Sequence, residues 1–130
     1  MLYLDSSALV KLAVTEPESA ALSAWLAERP NLIRVSSAIA RVEVPRSIWR
    51  AIPTALPEGY QVLHRIREIL LTEGVLSRAA TVRPQTLRAA GAIHLASALA
   101  IRTDLTTFVA YDHGLLAAAT EAGLPTASPR

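Results

Sequence analysis

Short apolar runs alternate with longer amphipathic stretches along this chain, and most apolar runs end abruptly on polar residues. The first run, Leu2-Tyr3-Leu4, stops at Asp5-Ser6-Ser7 and reads as a strand. A helix follows through Ala8-Leu9-Val10-Lys11-Leu12 and ends before Glu16-Pro17, since a residue preceding proline is driven out of the α region. A second helix is predicted from Glu18 to Glu28, with Ala21, Leu22, Trp25 and Leu26 on one stripe. After the turn signal Pro30-Asn31, Leu32-Ile33-Arg34-Val35 reads as a buried strand, and Ser36-Ser37 as the cap of a helix carrying Ile39, Val42 and Glu43. Pro45 predicts a kink or restart in that helix near Glu43.

Helix is expected again from Glu58 to Arg65, then strand or continued helix over Ile66–Leu71, then a short helix opening at Thr72-Glu73-Gly74. Pro84 opens a longer helix reaching Ile101. Thr107–Tyr111 is rich in β-formers and stops at Asp112-His113-Gly114, before a last helix through Leu115–Glu121 with Gly123 as its C-cap. Strands alternating with helices in units of ~30 residues predict an α/β fold with a mainly parallel sheet. The 130 residues fit one domain, 1–130.

Composition changes this picture little. Apolar residues make up 52 % with a single Phe, so the core must be aliphatic. The absence of cysteine removes disulfides and zinc–thiolate sites. No apolar run reaches the ~18–20 residues that span a bilayer, and the N-terminus lacks a signal-peptide pattern. A soluble protein is expected, with no membrane partner. The net charge of +2 is too small to argue for nucleic acid, although arginine, with 12 copies against one lysine, can bind phosphate bidentately.

In parallel sheets the working residues lie just beyond the carboxyl ends of strands. Asp5 and Asp112 each follow a strand and precede a helix, so each is either an ordinary N-cap or part of a site at that edge. Glu43, early in the helix after the second strand, joins the same edge or pairs with Arg46 or Arg50. Clustered carboxylates raise one another's pKa unless a cation sits among them, and hard cations such as Mg²⁺ prefer such oxygens. The usual chemistry of such a centre is attack of water on a phosphodiester. Other patterns fail: a DxSxS cation site would need serine where Leu9 stands, and a DxD phosphatase site aspartate where Ser7 stands. His94, in an apolar helix, reads as a packed core residue, and His113 as a neighbour of the site or of solvent.

The segments Leu4-Asp5-Ser6-Ser7-Ala8-Leu9-Val10-Lys11-Leu12, Ser36-Ser37-Ala38-Ile39-Ala40-Arg41-Val42-Glu43, Ala92-Ile93-His94-Leu95-Ala96-Ser97-Ala98 and Phe108-Val109-Ala110-Tyr111-Asp112 together resemble the PIN-domain toxins of the VapC family, in order and spacing over nearly the whole chain. The resemblance implies a three-layer α/β/α sandwich with a mainly parallel sheet of 4-5 strands. It also implies a cytoplasmic endoribonuclease dependent on Mg²⁺ (or Mn²⁺), an RNA substrate, a VapB-like antitoxin and a homodimer. Carried over by position, Asp5, Glu43 and Asp112 are the catalytic acids, with Asp5 and Asp112 at the metal. Ser6, Arg41 and Arg46 are the candidate substrate contacts. The family's third acid should immediately precede Ala92, and there the chain has Gly91. That glycine falls inside the predicted helix Gln85–Ile101, where it costs about 1 kcal/mol relative to alanine. It reflects either close packing that only glycine permits or a lost carboxylate, which implies an impaired nuclease or a PIN-fold protein that binds antitoxin or RNA without cleavage.

Overall fold

The computed structural model describes residues 1–130 and contains five strands in one all-parallel sheet, in the order β3-β2-β1-β4-β5. The strands are β1 (Leu2–Leu4), β2 (Arg34–Ser37), β3 (Arg67–Ile69), β4 (Thr107–Val109) and β5 (Thr126–Ala127). The helices are α1 (Ser6–Ala13), α2 (Ser19–Ala27), α3 (Ala40–Ala51), α4 (Leu56–His64), α5 (Glu73–Thr81), α6 (Ala89–Ala100) and α7 (His113–Glu121).

Alternation along the central strands divides the core. Leu2 and Leu4 of β1 and Val109 of β4 face one way, onto Ala8 and Leu9 of α1, Leu22 and Leu26 of α2, and Val44 and Ile48 of α3. Tyr3, Val35 and Phe108 face the other way, onto Leu95 and Ala98 of α6 and Leu115, Ala118 and Ala119 of α7. The result is the expected α/β/α sandwich. Strand β1 is buried on both faces, as a near-continuous apolar run in a parallel sheet should be. From β1 the chain steps to β2 and β3 on one side, then returns to place β4 and β5 on the other. The carboxyl end of β1 is therefore the point where strand order reverses, the crevice that such sheets use for ligands.

Four local expectations are corrected. Ser36 and Ser37 end β2 rather than cap a helix; the Ser37 hydroxyl accepts from the Ile39 N–H in the turn, and α3 starts at Ala40 without a side-chain cap. Pro45 does not break α3, which runs on through it: proline removes one ladder hydrogen bond, and here the ring is buried against the core. Helix α6 begins at Ala89 rather than near Gln85, so Gly91 lies in its first turn. The strand β5 carried no recognisable pattern; it is two residues long and is held at the sheet edge by β4.

Candidate functional site

The carboxyl ends of β1, β2 and β4 open into a cleft of about 710 Å³ whose lining includes Asp5, Glu43, Asp112, Ser6, His94 and Gly91. Asp5 and Asp112 both cap helices. The Asp5 Oδ1 accepts from the Ala8 N–H at 2.9 Å and from the Ser7 hydroxyl at 2.6 Å. The Asp112 Oδ1 accepts from the Leu115 N–H at 2.7 Å. Both aspartates are thus N-caps, and each cap consumes a single carboxylate oxygen, leaving the other without a partner in the protein. Ser7 also accepts from the Tyr111 N–H at 3.0 Å and so ties the end of β1 to the end of β4.

Glu43 falls in the first turn of α3, closer to the sheet edge than a helix starting at Ser37 would have put it. Its Oε1 accepts from the Ser6 hydroxyl and the His94 Nε2, each at 2.7 Å, and no arginine pairs with it. The second oxygens of Asp5, Glu43 and Asp112 have no hydrogen-bond partner within the protein.

These environments push the two inner carboxylates in opposite directions. Asp5 is only 4 % exposed, and burial raises its pKa above the ordinary value, against the pull of His94, Ser7 and the Ala8 N–H; nearby Glu43 pushes it further up. Burial also works to raise Glu43, but the hydrogen bonds from His94 and Ser6 outweigh it, and its pKa lies below the ordinary value. A buried carboxylate resisting ionisation beside an ionised one is an arrangement that a cation relieves.

The donors suit a hard divalent ion in kind, being carboxylate oxygens with free lone pairs. They fall short in number: no three acidic or histidine side chains converge closely enough to enclose an ion. One or two carboxylates with water and substrate phosphate remain sufficient for Mg²⁺. Gly91 sits on this cleft with room for a side chain. A Cβ there would meet Leu87 Cδ2 at 3.4 Å and Leu115 Cδ1 at 4.0 Å, both ends of flexible side chains. Close packing does not explain this glycine. It does explain Gly59 of α4, where a Cβ would fall 2.6 Å from Ile48 Cδ1.

A PIN-domain profile matches residues 2–121. Ribonuclease VapC47 of Mycobacterium tuberculosis is 41 % identical over 132 residues, covering 99 % of this chain and 97 % of its own length. The chain belongs to the PIN-domain VapC family. Ribonuclease VapC46 of Mycobacterium tuberculosis is 41 % identical over 128 residues, with 98 % of this chain and 97 % of its own covered. Among solved structures, the fold is similar to Mycobacterium tuberculosis VapC20, a sarcin-ricin loop cleaving toxin, with a TM-score of 0.78 at 14 % identity over 99 % of this chain and 100 % of that one. FitAcB from Neisseria gonorrhoeae gives 0.69 at 21 %, over 99 % and 98 %. At these identities the two structures speak for the fold alone.

Within this VapC-family cleft, the candidate substrate contacts divide. Ser6 is present, tied to Glu43. Arg41 is not on the cleft: its side chain is 71 % exposed and lies 3.7 Å from Glu68. Arg46 is also off it, with its guanidinium 6.0 Å from the Trp49 ring centroid. The cations that do line the cleft are Lys11, bound to Glu18 at 2.9 Å, and Arg88, which has no ion-pair partner. Arg88 carried no sequence signal, since it precedes α6 as one arginine among many. His94 is buried, as a core residue should be, yet it is hydrogen-bonded into the site; its contact with Glu43 was invisible from local pattern. His113 is exposed and outside the cleft lining.

Proposed function

We propose that this chain is a VapC-type endoribonuclease toxin dependent on Mg²⁺ or Mn²⁺, with its activity depressed because Gly91 stands where an acidic ligand is expected. The observation that carries the reading is the cleft itself. Three carboxylates from three elements line it, each with one oxygen left without a protein partner, and at the fourth position the backbone accepts a side chain that the sequence does not supply. A divalent ion bound by Asp5 and Asp112 would supply positive charge to the phosphate under attack. Glu43 Oε2 orients a water and takes its proton as the water oxygen bonds to phosphorus. One bridging P–O bond breaks, and the leaving oxygen takes a proton from solvent at the cleft mouth. Arg88 and Lys11, rather than Arg41 and Arg46, hold the RNA backbone.

A VapB-like antitoxin is the proposed partner. The acids of the cleft suit an antitoxin arginine, and Val42 and Trp49 of α3, seven residues apart and 59 % and 56 % exposed, suit its apolar anchors. Homodimerisation and a cytoplasmic location follow from the family resemblance; no helix is long and apolar enough to cross a membrane.

The deciding experiment compares this chain with Gly91→Asp on labelled structured and single-stranded RNAs in Mn²⁺ and in chelator. By analogy with loss of one electrostatic stabiliser, restoring the acid should raise metal-dependent cleavage ~10²–10³-fold. If the restored protein binds the metal and stays inert on every RNA, the nuclease reading fails and binding without cleavage takes its place. That alternative rests on the same missing carboxylate.

A further inference from the structure

His94 is 3 % exposed and sits in an apolar stretch of α6, yet both of its ring nitrogens are engaged. Nδ1 lies 2.7 Å from the Tyr3 hydroxyl, and Nε2 lies 2.7 Å from Glu43 Oε1 and 3.1 Å from the Ser6 hydroxyl. The partners come from β1, α1 and α3, so the imidazole joins the middle strand of the sheet to the acid on its far rim. Behind it, Tyr3 is fully buried and its ring stacks on Phe108 with centroids 5.0 Å apart.

For a neutral imidazole, proton counting fixes the direction of these bonds. A carboxylate only accepts, and a bare ring nitrogen at 2.7 Å from it would repel, so Nε2 carries hydrogen. A tyrosine hydroxyl, with an ordinary pKa of about 10, keeps its proton at neutral pH. The nearest acceptor for that proton is Nδ1. The hydroxyls of Ser36 and Ser97 are buried near the Tyr3 oxygen without a hydrogen-bond partner, and rotated toward it they can donate to its lone pairs. Every hydrogen in this chain of groups then points toward Glu43, and each bond polarises the next.

We propose that Tyr3 and His94 are positioning residues for Glu43: Tyr3 holds the imidazole in the Nε2–H tautomer, and His94 with Ser6 saturates Oε1 so that Oε2 alone is presented to the cleft. Both act through Glu43: Tyr3 is fully buried, and His94 borders the cleft with only 3 % of its surface exposed. The consequence for metal and RNA rests on the function proposed above, whereas the tautomer does not.

The test uses the full chain, as it stands and as Gly91→Asp, with Tyr3→Phe introduced into each. Phenylalanine keeps the stacked ring and removes only the hydroxyl. ¹⁵N NMR of labelled histidine should show a bare Nδ1 and a protonated Nε2 in the parent, with Nδ1–H appearing in Tyr3→Phe. Calorimetry should show Mn²⁺ binding to Gly91→Asp weakened ~10-fold by Tyr3→Phe, the low end of the usual effect of removing an outer hydrogen-bonding partner, since here the loss reaches the ion only through the water that Glu43 orients. His94→Gln, which retains a neutral donor, should keep more of that affinity than His94→Leu. A parent His94 protonated at Nδ1, or a Tyr3→Phe protein with unchanged tautomer and unchanged Mn²⁺ affinity, overturns the proposal. If Gly91→Asp binds no Mn²⁺ at all, the proposed function falls, and the NMR result alone still decides the Tyr3–His94 arrangement.

Discussion

The two walls of the cleft are built differently. On the inner wall, Asp5 is buried and Glu43 half-buried, and their inner oxygens receive four hydrogen bonds from Ser7, the Ala8 N–H, Ser6 and His94. On the outer wall, Asp112 is exposed and held by the single bond from the Leu115 N–H, and Gly91 presents no side chain. The inner wall fixes geometry at an electrostatic cost, visible in the raised pKa of Asp5. The outer wall is forgiving. A Cβ at position 91 would meet only the ends of Leu87 and Leu115, so the carboxylate proposed to be missing there should be possible to introduce.

The largest expected effect tests the inner wall. In the Gly91→Asp background, Glu43→Gln should erase the ~10²–10³-fold gain in Mn²⁺-dependent cleavage, because the amide cannot take a proton from water. Retained cleavage in the double variant would move the base elsewhere.

Next comes pH dependence. The folded pKa of Asp5 is raised, so its protonated form favours folding at low pH, and that contribution is lost as pH rises through the folded value. Glu43 runs the opposite way: its contribution is present above the unfolded value and disappears as pH falls through its lowered folded value. Asp5→Asn keeps the cap acceptor and removes the buried charge, so at neutral pH it should raise Tm while abolishing Mn²⁺ binding. The Tm difference should shrink on acidification toward pH 4. A variant less stable at every pH would mean that Asp5 is held by its neighbours more strongly than burial opposes it.

Smaller effects separate cap from site on the outer wall. Asp112→Ala should cost about 1 kcal/mol in denaturant unfolding through the lost cap, whereas Asp112→Asn should cost only a few tenths. Both should weaken metal-dependent cleavage in the Gly91→Asp background. If asparagine preserved cleavage, the charge of Asp112 would be irrelevant and its role purely that of a cap.

The smallest effect concerns Gly91 itself. Gly91→Ala should be neutral to stabilising by about 0.4–1 kcal/mol, since the Cβ meets only side-chain ends and the unfolded chain loses freedom. At Gly59, where Ile48 blocks the space, the same change should destabilise. Equal losses at both positions would return Gly91 to the status of a packing glycine.

Local pattern carried the sequence reading a long way. The strand-then-aspartate breaks at Asp5 and Asp112 placed both acids at one edge of the sheet, because strand ends and helix caps are properties of a few adjacent residues. The parallel α/β class followed from the spacing of apolar runs, and the resemblance located the empty position 91. Boundaries failed where one local signal was read alone, as with the Ser36-Ser37 cap and the Pro45 break: strand pairing with β3 claimed the serines, and core burial held the proline in helix.

What only the tertiary structure decided are contacts between distant parts of the chain. Ser6 meets Glu43 across 37 residues, Glu43 meets His94 across 51, and Tyr3 meets His94 across 91. The sequence by itself determined that acids would stand at the carboxyl edge of a parallel sheet. It could not show that Glu43 binds a histidine instead of an arginine, that Arg88 rather than Arg41 or Arg46 faces the cleft, or that position 91 has room for a side chain. Helical and strand periodicity record which way a side chain leaves its own backbone, whereas hydrogen-bond partners and free volume depend on which other elements the sheet order brings alongside.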